Sequence, residues 1–243
     1  MDAEDKKERI AKRMARSGLC SRRDAERLIG EGRVRLNGIV LQSPAVTVND
    51  ADIIEVDGEK IGGKEVTRLW RYHKPKGLVT THRDEMGRAT IFDHLPQDLP
   101  RVLSVGRLDL TSEGLLLLTN DGALSRHLEL PSTGWTRKYR VRAFGKVLPD
   151  RLAALARGIT VDGITYGAIE AEVEKTQGSN SWINVTLREG KNREIRRVFE
   201  YLGLQVNRLI RVSYGPFKLG NLEEGDVAEV SATAISEATG KKF

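Results

Sequence analysis

The sequence predicts a mixed α+β protein, with a mainly antiparallel sheet carrying a few helices and a small helix-and-hairpin module ahead of it. Three observations carry this expectation. Beyond Thr67 the chain breaks into many short β-type runs separated by turns, with helical stretches interspersed but no regular βαβ alternation, which argues against a doubly wound parallel sheet. Residues 1–65 pair two short helical patterns with the hairpin dipeptide Asn37-Gly38. Gly62-Gly63-Lys64 then reads as a flexible connector. The boundaries expected are 1–62 for the module and 67–243 for the larger domain.

Within the module, residues 9–17 (RIAKRMARS) set Ile10 and Met14 at i,i+4 spacing, a short helix that Gly18 stops. Ser21 stands three residues before Asp24, a capping-box-like start for a second helix to Glu31, and Gly32 takes the C′ position. Strands at 34–36 and 39–41 flank Asn37-Gly38, and another at 52–56 closes at Asp57-Gly58. In the larger domain, strands are expected at 68–72, 78–81, 102–105, 115–119, 138–144, 168–173, 182–187, 206–212 and 226–230. Helices are expected at 123–130, 149–157 and 192–202, and a frayed tail at 232–243. Trp70, Trp135 and Trp182 read as core or strand-face packing, and Ser112 and Ser125 as surface.

Charge narrows the function. The 243 residues are 39% hydrophobic, enough for one large core or a medium and a small one. They are 30% charged with a net charge of +6, which favours a polyanionic partner. Residues 6–35 hold eleven Lys/Arg against four Asp/Glu, and the following thirty residues lean acidic. The positive charge is thus concentrated at one end, as a phosphate-tracking surface needs. The single cysteine, Cys20, excludes an intramolecular disulfide and fits a reducing compartment. His73, His82, His94 and His127 show no ligand spacing, so no metal is expected. The opening MDAEDKKERI has no apolar h-region and the aliphatic run 115–118 is far too short to span a bilayer, so no membrane association and a cytoplasmic address are expected.

The most informative stretch is GRLDLTSEGLLLLTNDG, residues 106–122. Asp109 sits between two leucines just before a turn and a buried aliphatic strand. Read blandly it is a turn residue; read functionally it is a carboxylate held at a strand end beside Arg107. A basic stretch follows later, with seven Lys/Arg against three acidic residues between Arg188 and Arg211, Lys191 and Arg193 among them. Gly190-Lys191 lacks the upstream glycine and following Ser/Thr of a phosphate-binding loop, which disfavours an NTPase. Asp109 with Glu113 or Asp121 offers a glycosidase-like pair, but Asp121-Gly122 reads as turn chemistry.

Two resemblances attach to these residues. RIAKRMARSGLCSRRDAERLIGEGRVRLNGIVL resembles the S4-type RNA-binding domain, an α-L fold, in which Arg13, Arg16, Arg22, Arg23 and Arg27 would meet phosphates. The bland reading of the same arginines is a solvated basic helix face. GRLDLTSEGLLLLTNDG resembles the signature of the ribosomal pseudouridine synthases of types A (small-subunit RNA) and B, E and F (large-subunit RNA). The likeness is greatest to type B. It extends through Lys74-Pro75-Lys76-Gly77, Arg137-Lys138-Tyr139-Arg140-Val141 and Glu189-Gly190-Lys191-Asn192-Arg193-Glu194-Ile195-Arg196-Arg197. It implies the pseudouridine synthase fold, with Asp109 as catalytic carboxylate, Tyr139 as the aromatic residue packing on the target uracil, and Arg196 as the basic partner of the aspartate. Glu194 stands where relatives often carry Gln, beside and not at the matched positions.

The implied reaction breaks the N1–C1′ bond of uridine, rotates the uracil and rejoins it through C5, so no cofactor is expected. A carboxylate serves as nucleophile or base, a neighbouring guanidinium favours its charged form, and the target base must leave its stack. Arg107, Lys191, Arg193 and the module's arginines are the expected RNA contacts. The expected partner is ribosomal RNA, as a stem-loop in free RNA or a pre-ribosomal particle, bound by a monomer; large-subunit RNA is favoured over small-subunit RNA. Two other readings stand beside this one: a catalytically silent RNA-binding assembly factor and a glycosidase-like hydrolase.

Overall fold

The structure, a computed structural model, describes residues 7–241 and 243; residues 1–6 and 242 lie outside the described residues, Lys6 of the basic run and the start of the 1–62 module among them. The chain divides into two compact units. One is built on the segment up to Arg68 with Asp98–Leu103 and Asn120–Gly122, the other on the remainder.

The smaller unit contains β1 (Glu8–Arg9), α1 (Ile10–Arg16), α2 (Arg22–Gly30), β2 (Val34–Leu36), β3 (Ile39–Val40), β4 (Thr47–Val48), β5 (Ile54–Val56) and β6 (Glu59–Lys60). A four-stranded sheet runs in the order β3-β2-β5-β6, and β1 pairs β4. Local chemistry sets these elements. The Asp24 N–H donates to Ser21 Oγ at 3.0 Å while the Asp24 carboxylate accepts from the Ser21 N–H, closing the capping box that starts α2. Asn37 and Gly38 both take positive φ, the geometry of a two-residue hairpin turn. Ile10, Met14, Ala25, Ile29 and Val34 fill the core beneath.

The remaining elements are β7 (Leu69–Lys74), β8 (Leu103–Val105), β9 (Glu113–Thr119), α3 (Gly122–Glu129), β10 (Arg137–Phe144) and α4 (Pro149–Ala154), which continues as a 3-10 turn, Leu155–Arg157. There follow β11 (Ile159–Val161), β12 (Ile164–Tyr166), β13 (Ile169–Gln177), β14 (Asn180–Leu187), α5 (Glu194–Tyr201), β15 (Gln205–Tyr214), β16 (Phe217–Lys218), β17 (Val227–Val230) and α6 (Ala232–Thr239). Nine of these strands form one sheet, ordered β13-β14-β10-β15-β9-β7-β17, with β16 beside β15 and β8 beside β9. Antiparallel ladders join β13 to β14, β14 to β10, β10 to β15, β9 to β7 and β7 to β17, whereas β9 and β15 run parallel. The mixed, mainly antiparallel α+β architecture is the one expected.

Two cores lie against this sheet. Val141, Ile183, Val185, Leu152, Val198 and Phe199 form one. Leu69, Leu115, Leu117, Leu124, Leu128 and Ile235 form the other. Strand β9 is buried at every position, as its leucine run demands. At its start the parallel pairing brings Gly114, at φ +100°, so close to β15 that an added Cβ would overlap the Arg211 carbonyl and amide.

Several expectations are corrected. Residues 78–81 form only an isolated bridge, Val79 to Thr90, because the Thr80 hydroxyl donates to the Leu108 carbonyl at 2.9 Å and holds that segment as a loop. The tail is not frayed: Ser231 caps α6 by accepting from the Ala234 N–H, and Ile235 docks in the second core. Helix α5 begins at Glu194 and not at 192, since Arg193 takes the left-handed conformation at its N-cap. The hairpin β11–β12, turning at Asp162-Gly163, was not expected. Ser112 and Ser125 are buried, and Asp121 is a buried acceptor for the Thr67 hydroxyl, not a turn residue.

Gly114→Ala tests the parallel junction. Combined φ strain and overlap with β15 backbone should cost at least about 3 kcal/mol, read as a lowered urea midpoint. A midpoint equal to the parent's would show that β9 and β15 can separate freely.

Candidate active site

A cavity of about 970 Å³ opens in the larger unit, and Asp109, Tyr139, Arg107, Lys191 and Arg193 all line it. These five come from three separate stretches of the sequence. Asp109 stands half-buried in the loop between β8 and β9, whereas Arg107, Lys191 and Arg193 are exposed. Tyr139 lies in β10 opposite Val185 of β14 and Arg211 of β15, beside a register shift that follows Lys138; such a bulge re-aims a side chain. Its ring packs partly on the first core and stays half-exposed.

The Asp109 loop is held by its backbone. Five consecutive carbonyls each accept a hydrogen bond from outside or across the turn. Leu108 O accepts from Thr80 Oγ1 at 2.9 Å, and Leu110 O from the Gly77 N–H at 2.9 Å. Thr111 O accepts from Arg196 Nη2 at 2.9 Å. Lys74 Nζ donates to Asp109 O at 3.3 Å and Ser112 O at 2.9 Å, and to Pro75 O at 2.9 Å. The Ser112 N–H closes the turn on Asp109 O at 3.0 Å. A loop anchored at each peptide cannot drift, which fixes the carboxylate at the cleft wall.

Lys74 is the cation at the centre of this arrangement. It is 0% exposed, and burial pulls its ammonium down to about 8 against the opposing pull of the Asp109 and Glu113 carboxylates. Glu113 is itself paired with Arg208, which takes it out of any two-carboxylate arrangement with Asp109. Sequence reading gave the Lys-Pro-Lys-Gly segment no role. A signal was present: Lys74 follows Trp70 and Tyr72 at period two, on the buried face of β7.

Arg196 sits behind the loop and does not line the main cavity. Its guanidinium donates to Val206 O at 3.1 Å and Thr111 O at 2.9 Å, not to the Asp109 carboxylate. Burial first, and Arg193 second, lower its pKa, while Asp109 opposes them. Its partnership with Asp109 is therefore electrostatic and through the loop backbone. Glu194 is 4% exposed; its carboxylate accepts from the Lys191 N–H at 3.0 Å, and burial pushes its pKa up. Among the described residues no cluster of three or more His, Cys, Asp or Glu could hold a metal, and no helix is long and apolar enough to cross a membrane.

In the smaller unit the five arginines divide. Arg13 and Arg16 are half-buried and paired with Glu8, Arg13 also with Asp50. Arg27 pairs with Glu31 one turn on. Arg22 and Arg23 are exposed and carry no ion pair among the described residues.

The family description "RNA pseudouridylate synthase" matches residues 68–201, and "S4 domain" matches residues 8–54. An RNA pseudouridine synthase of Rickettsia felis is 51% identical over 92% of this chain and 97% of its own length. The chain belongs to the RNA pseudouridylate synthases. It is an isomerase that acts on RNA. A ribosomal large subunit pseudouridine synthase B of Yersinia pestis is 41% identical over 87% of this chain and 69% of its own length. A pseudouridylate synthase crystal structure is 28% identical, with a TM-score of 0.66 over 93% of this chain and 96% of that one.

For a pseudouridylate synthase the Lys74 clamp has a pH signature. Between about 8 and the ordinary lysine value of 10.5, the unfolded chain binds a proton that folded Lys74 does not. Its contribution to stability therefore rises with pH across that window, and the penalty for burying the ammonium is present below it. In Lys74→Met this rise should vanish. Urea midpoints of parent and variant from pH 7.5 to 10.5 measure it; parallel profiles would refute the assignment.

Proposed function

We propose that this pseudouridylate synthase isomerises a uridine in ribosomal RNA of the large subunit, with Asp109 as its catalytic carboxylate. One observation carries the assignment of Asp109: its backbone is anchored at five successive carbonyls while the residue itself lines the cleft that Tyr139 also lines. The RNA class rests on relatives named ribosomal large subunit pseudouridine synthase B, 40–41% identical in Yersinia pestis and Haemophilus influenzae.

In this reading the target uridine leaves its stack and enters the cleft, costing on the order of a few kcal/mol. Asp109 acts on the sugar or the base to release N1 from C1′. The Tyr139 face holds the detached uracil while it turns to present C5, and its hydroxyl assists removal of the C5 proton. Arg196 holds the Asp109 loop by the Thr111 carbonyl and supplies a fixed positive charge behind the carboxylate. Arg107, Lys191 and Arg193 at the cleft take neighbouring phosphates. The smaller unit adds RNA contacts through Arg22, Arg23 and Arg27, the three exposed arginines of α2.

Mapping pseudouridines in ribosomal RNA of cells with and without the gene tests the substrate: one large-subunit site should be lost. Loss of a small-subunit site would correct the RNA class, and no loss would refute the ribosomal reading. Asp109→Asn should lower tritium release from C5-labelled RNA by roughly 10³-fold or more, with RNA binding nearly kept. Tyr139→Phe should bind normally and slow the later steps, whereas Tyr139→Ala should also lose stacking worth about 1–3 kcal/mol. Equal behaviour of the two tyrosine variants would remove the stacking role.

The division among arginines gives a further expectation. Arg22→Gln with Arg23→Gln should flatten the log–log salt dependence of RNA binding by about 0.7–0.9 for each phosphate no longer neutralised. Arg13→Gln with Arg16→Gln should instead lower thermal stability and leave the slope almost unchanged. Identical slopes for the parent and both pairs would mean that α1 and α2 do not meet the RNA backbone.

A further inference from the structure

Two arginines in the cleft have no carboxylate in contact with them among the described residues. Arg211, on β15, is 3% exposed, yet among the described residues it makes one side-chain hydrogen bond, from Nε to Leu115 O at 2.7 Å. Its Nη2 is buried without a partner. Arg137, on β10, spends its nitrogens on Arg188 O at 2.6 Å, Trp135 O at 3.4 Å and the Tyr214 hydroxyl at 3.1 Å. Neither forms an ion pair among the described residues. Both guanidinium carbons lie near one ring, 4.7 Å (Arg137) and 5.3 Å (Arg211) from the Tyr214 centroid. That ring is fixed in turn, since its hydroxyl donates to Leu128 O at 2.9 Å.

A guanidinium cannot shed its proton to escape burial, and a buried charge left unpaired, as at Arg211, is strongly unfavourable; Arg137 is half-buried. The nearby acids make no ion pair with either arginine among the described residues: Glu129 accepts from Ser125 Oγ at 2.8 Å, and Glu194 accepts from the Lys191 N–H with its other oxygen buried and unpartnered. Arg137, Arg211, Tyr214, Glu129 and Glu194 line the same cleft as Asp109. The ring face offsets part of the cost but brings no negative charge. What the two guanidinium groups lack is an anion in contact with them, and the planar forks of two arginines suit phosphate oxygens.

We propose that Arg137 and Arg211, braced on the Tyr214 ring, form a phosphate subsite that takes a phosphodiester of the substrate RNA next to the target uridine. This rests on the cleft being the RNA-modifying site. The subsite differs from the exposed cations at the rim in being pre-ordered: its members are fixed by carbonyls of Leu115, Arg188 and Leu128 before any ligand arrives. It would anchor the sugar-phosphate backbone while the base enters and the uracil turns, and so fix the position of C1′ relative to Asp109.

The test uses the ¹⁵N-labelled full chain and its arginine Nε–Hε resonances, assigned with Arg137→Gln and Arg211→Lys. Inorganic phosphate, uridine 5′-monophosphate and uridine are titrated separately. The Arg137 and Arg211 signals should shift with phosphate and the monophosphate and stay still with uridine. Signals that stay still while exposed arginines respond to phosphate would overturn the subsite, as would equal shifts with uridine, which would make these residues base contacts. In turnover, Arg137→Gln should raise KM for RNA about tenfold with a smaller effect on kcat, and Arg137→Lys should recover part of it. An unchanged KM would also count against the proposal. Should the parent chain isomerise no ribosomal uridine, the proposed substrate falls, while the phosphate titration still decides the subsite.

Discussion

The larger unit is organised around one buried ammonium. Lys74, the last residue of β7, runs under the Asp109 loop and donates to three carbonyls, those of Pro75, Asp109 and Ser112. A hydrophobic residue there would remove the Lys74 bond to the Pro75 and Ser112 carbonyls, leaving Asp109 O only the Ser112 N–H, and each orphaned acceptor would cost on the order of 1–3 kcal/mol. A smaller donor on the same strand could not reach them. The ammonium's own desolvation is the cost of this solution, seen in its pKa of about 8. The Asp109 and Glu113 carboxylates keep that cost tolerable by favouring the charged form.

From that point the rest of the site follows by connection. The same loop hands Thr111 O to Arg196 on α5 and Leu110 O to Gly77, so the strand-end carboxylate, a helix and the Lys-Pro-Lys-Gly turn are tied to one short segment. Beyond the loop, β9 must pass close to β15, and only a glycine at 114 permits that approach. The pairing sets Gly114 beside Arg211, and Arg211 is in turn the cross-strand neighbour of Tyr139. The sheet therefore spaces Arg211 and Tyr139 by backbone hydrogen bonds, while the Asp109 loop next to β9 is held by Lys74, Thr80 and Arg196 side chains on its carbonyls. Rigidity of this kind is what a cleft needs when the ligand, and not the protein, has to rearrange.

The basic charges of the chain do different jobs according to burial. Arg13 and Arg16 hold the smaller unit together through Glu8, and Arg208 serves Glu113. Arg22 and Arg23 face solvent, as do Arg107, Lys191 and Arg193 at the cleft. Surface cations of the second kind attract a polyanion from a distance and are screened by salt. Arg137, half-buried, and Arg211, buried, form a third group, fixed by carbonyls before any ligand arrives, where an anion would gain most.

What the sequence by itself determined were features that depend on near neighbours. The Ser21–Asp24 capping box, the Asn37-Gly38 hairpin and the burial of the 115–118 run each follow from residues a few positions apart. The type and place of Asp109, Tyr139 and the basic stretch before α5 were legible too, because a signature of fixed spacing carries them. Only the tertiary structure decided what hangs on distant partners. Lys74 meets Asp109 across 35 residues, Arg196 meets Thr111 across 85, and Arg211 meets Leu115 across 96. The same dependence made a loop of 78–81, turned the expected tail into α6 and buried Ser112. Periodicity and propensity report a residue's intrinsic preference. Whether a lysine is solvated or a serine covered is settled by which segment the chain brings over it, and that depends on the whole sheet's pairing.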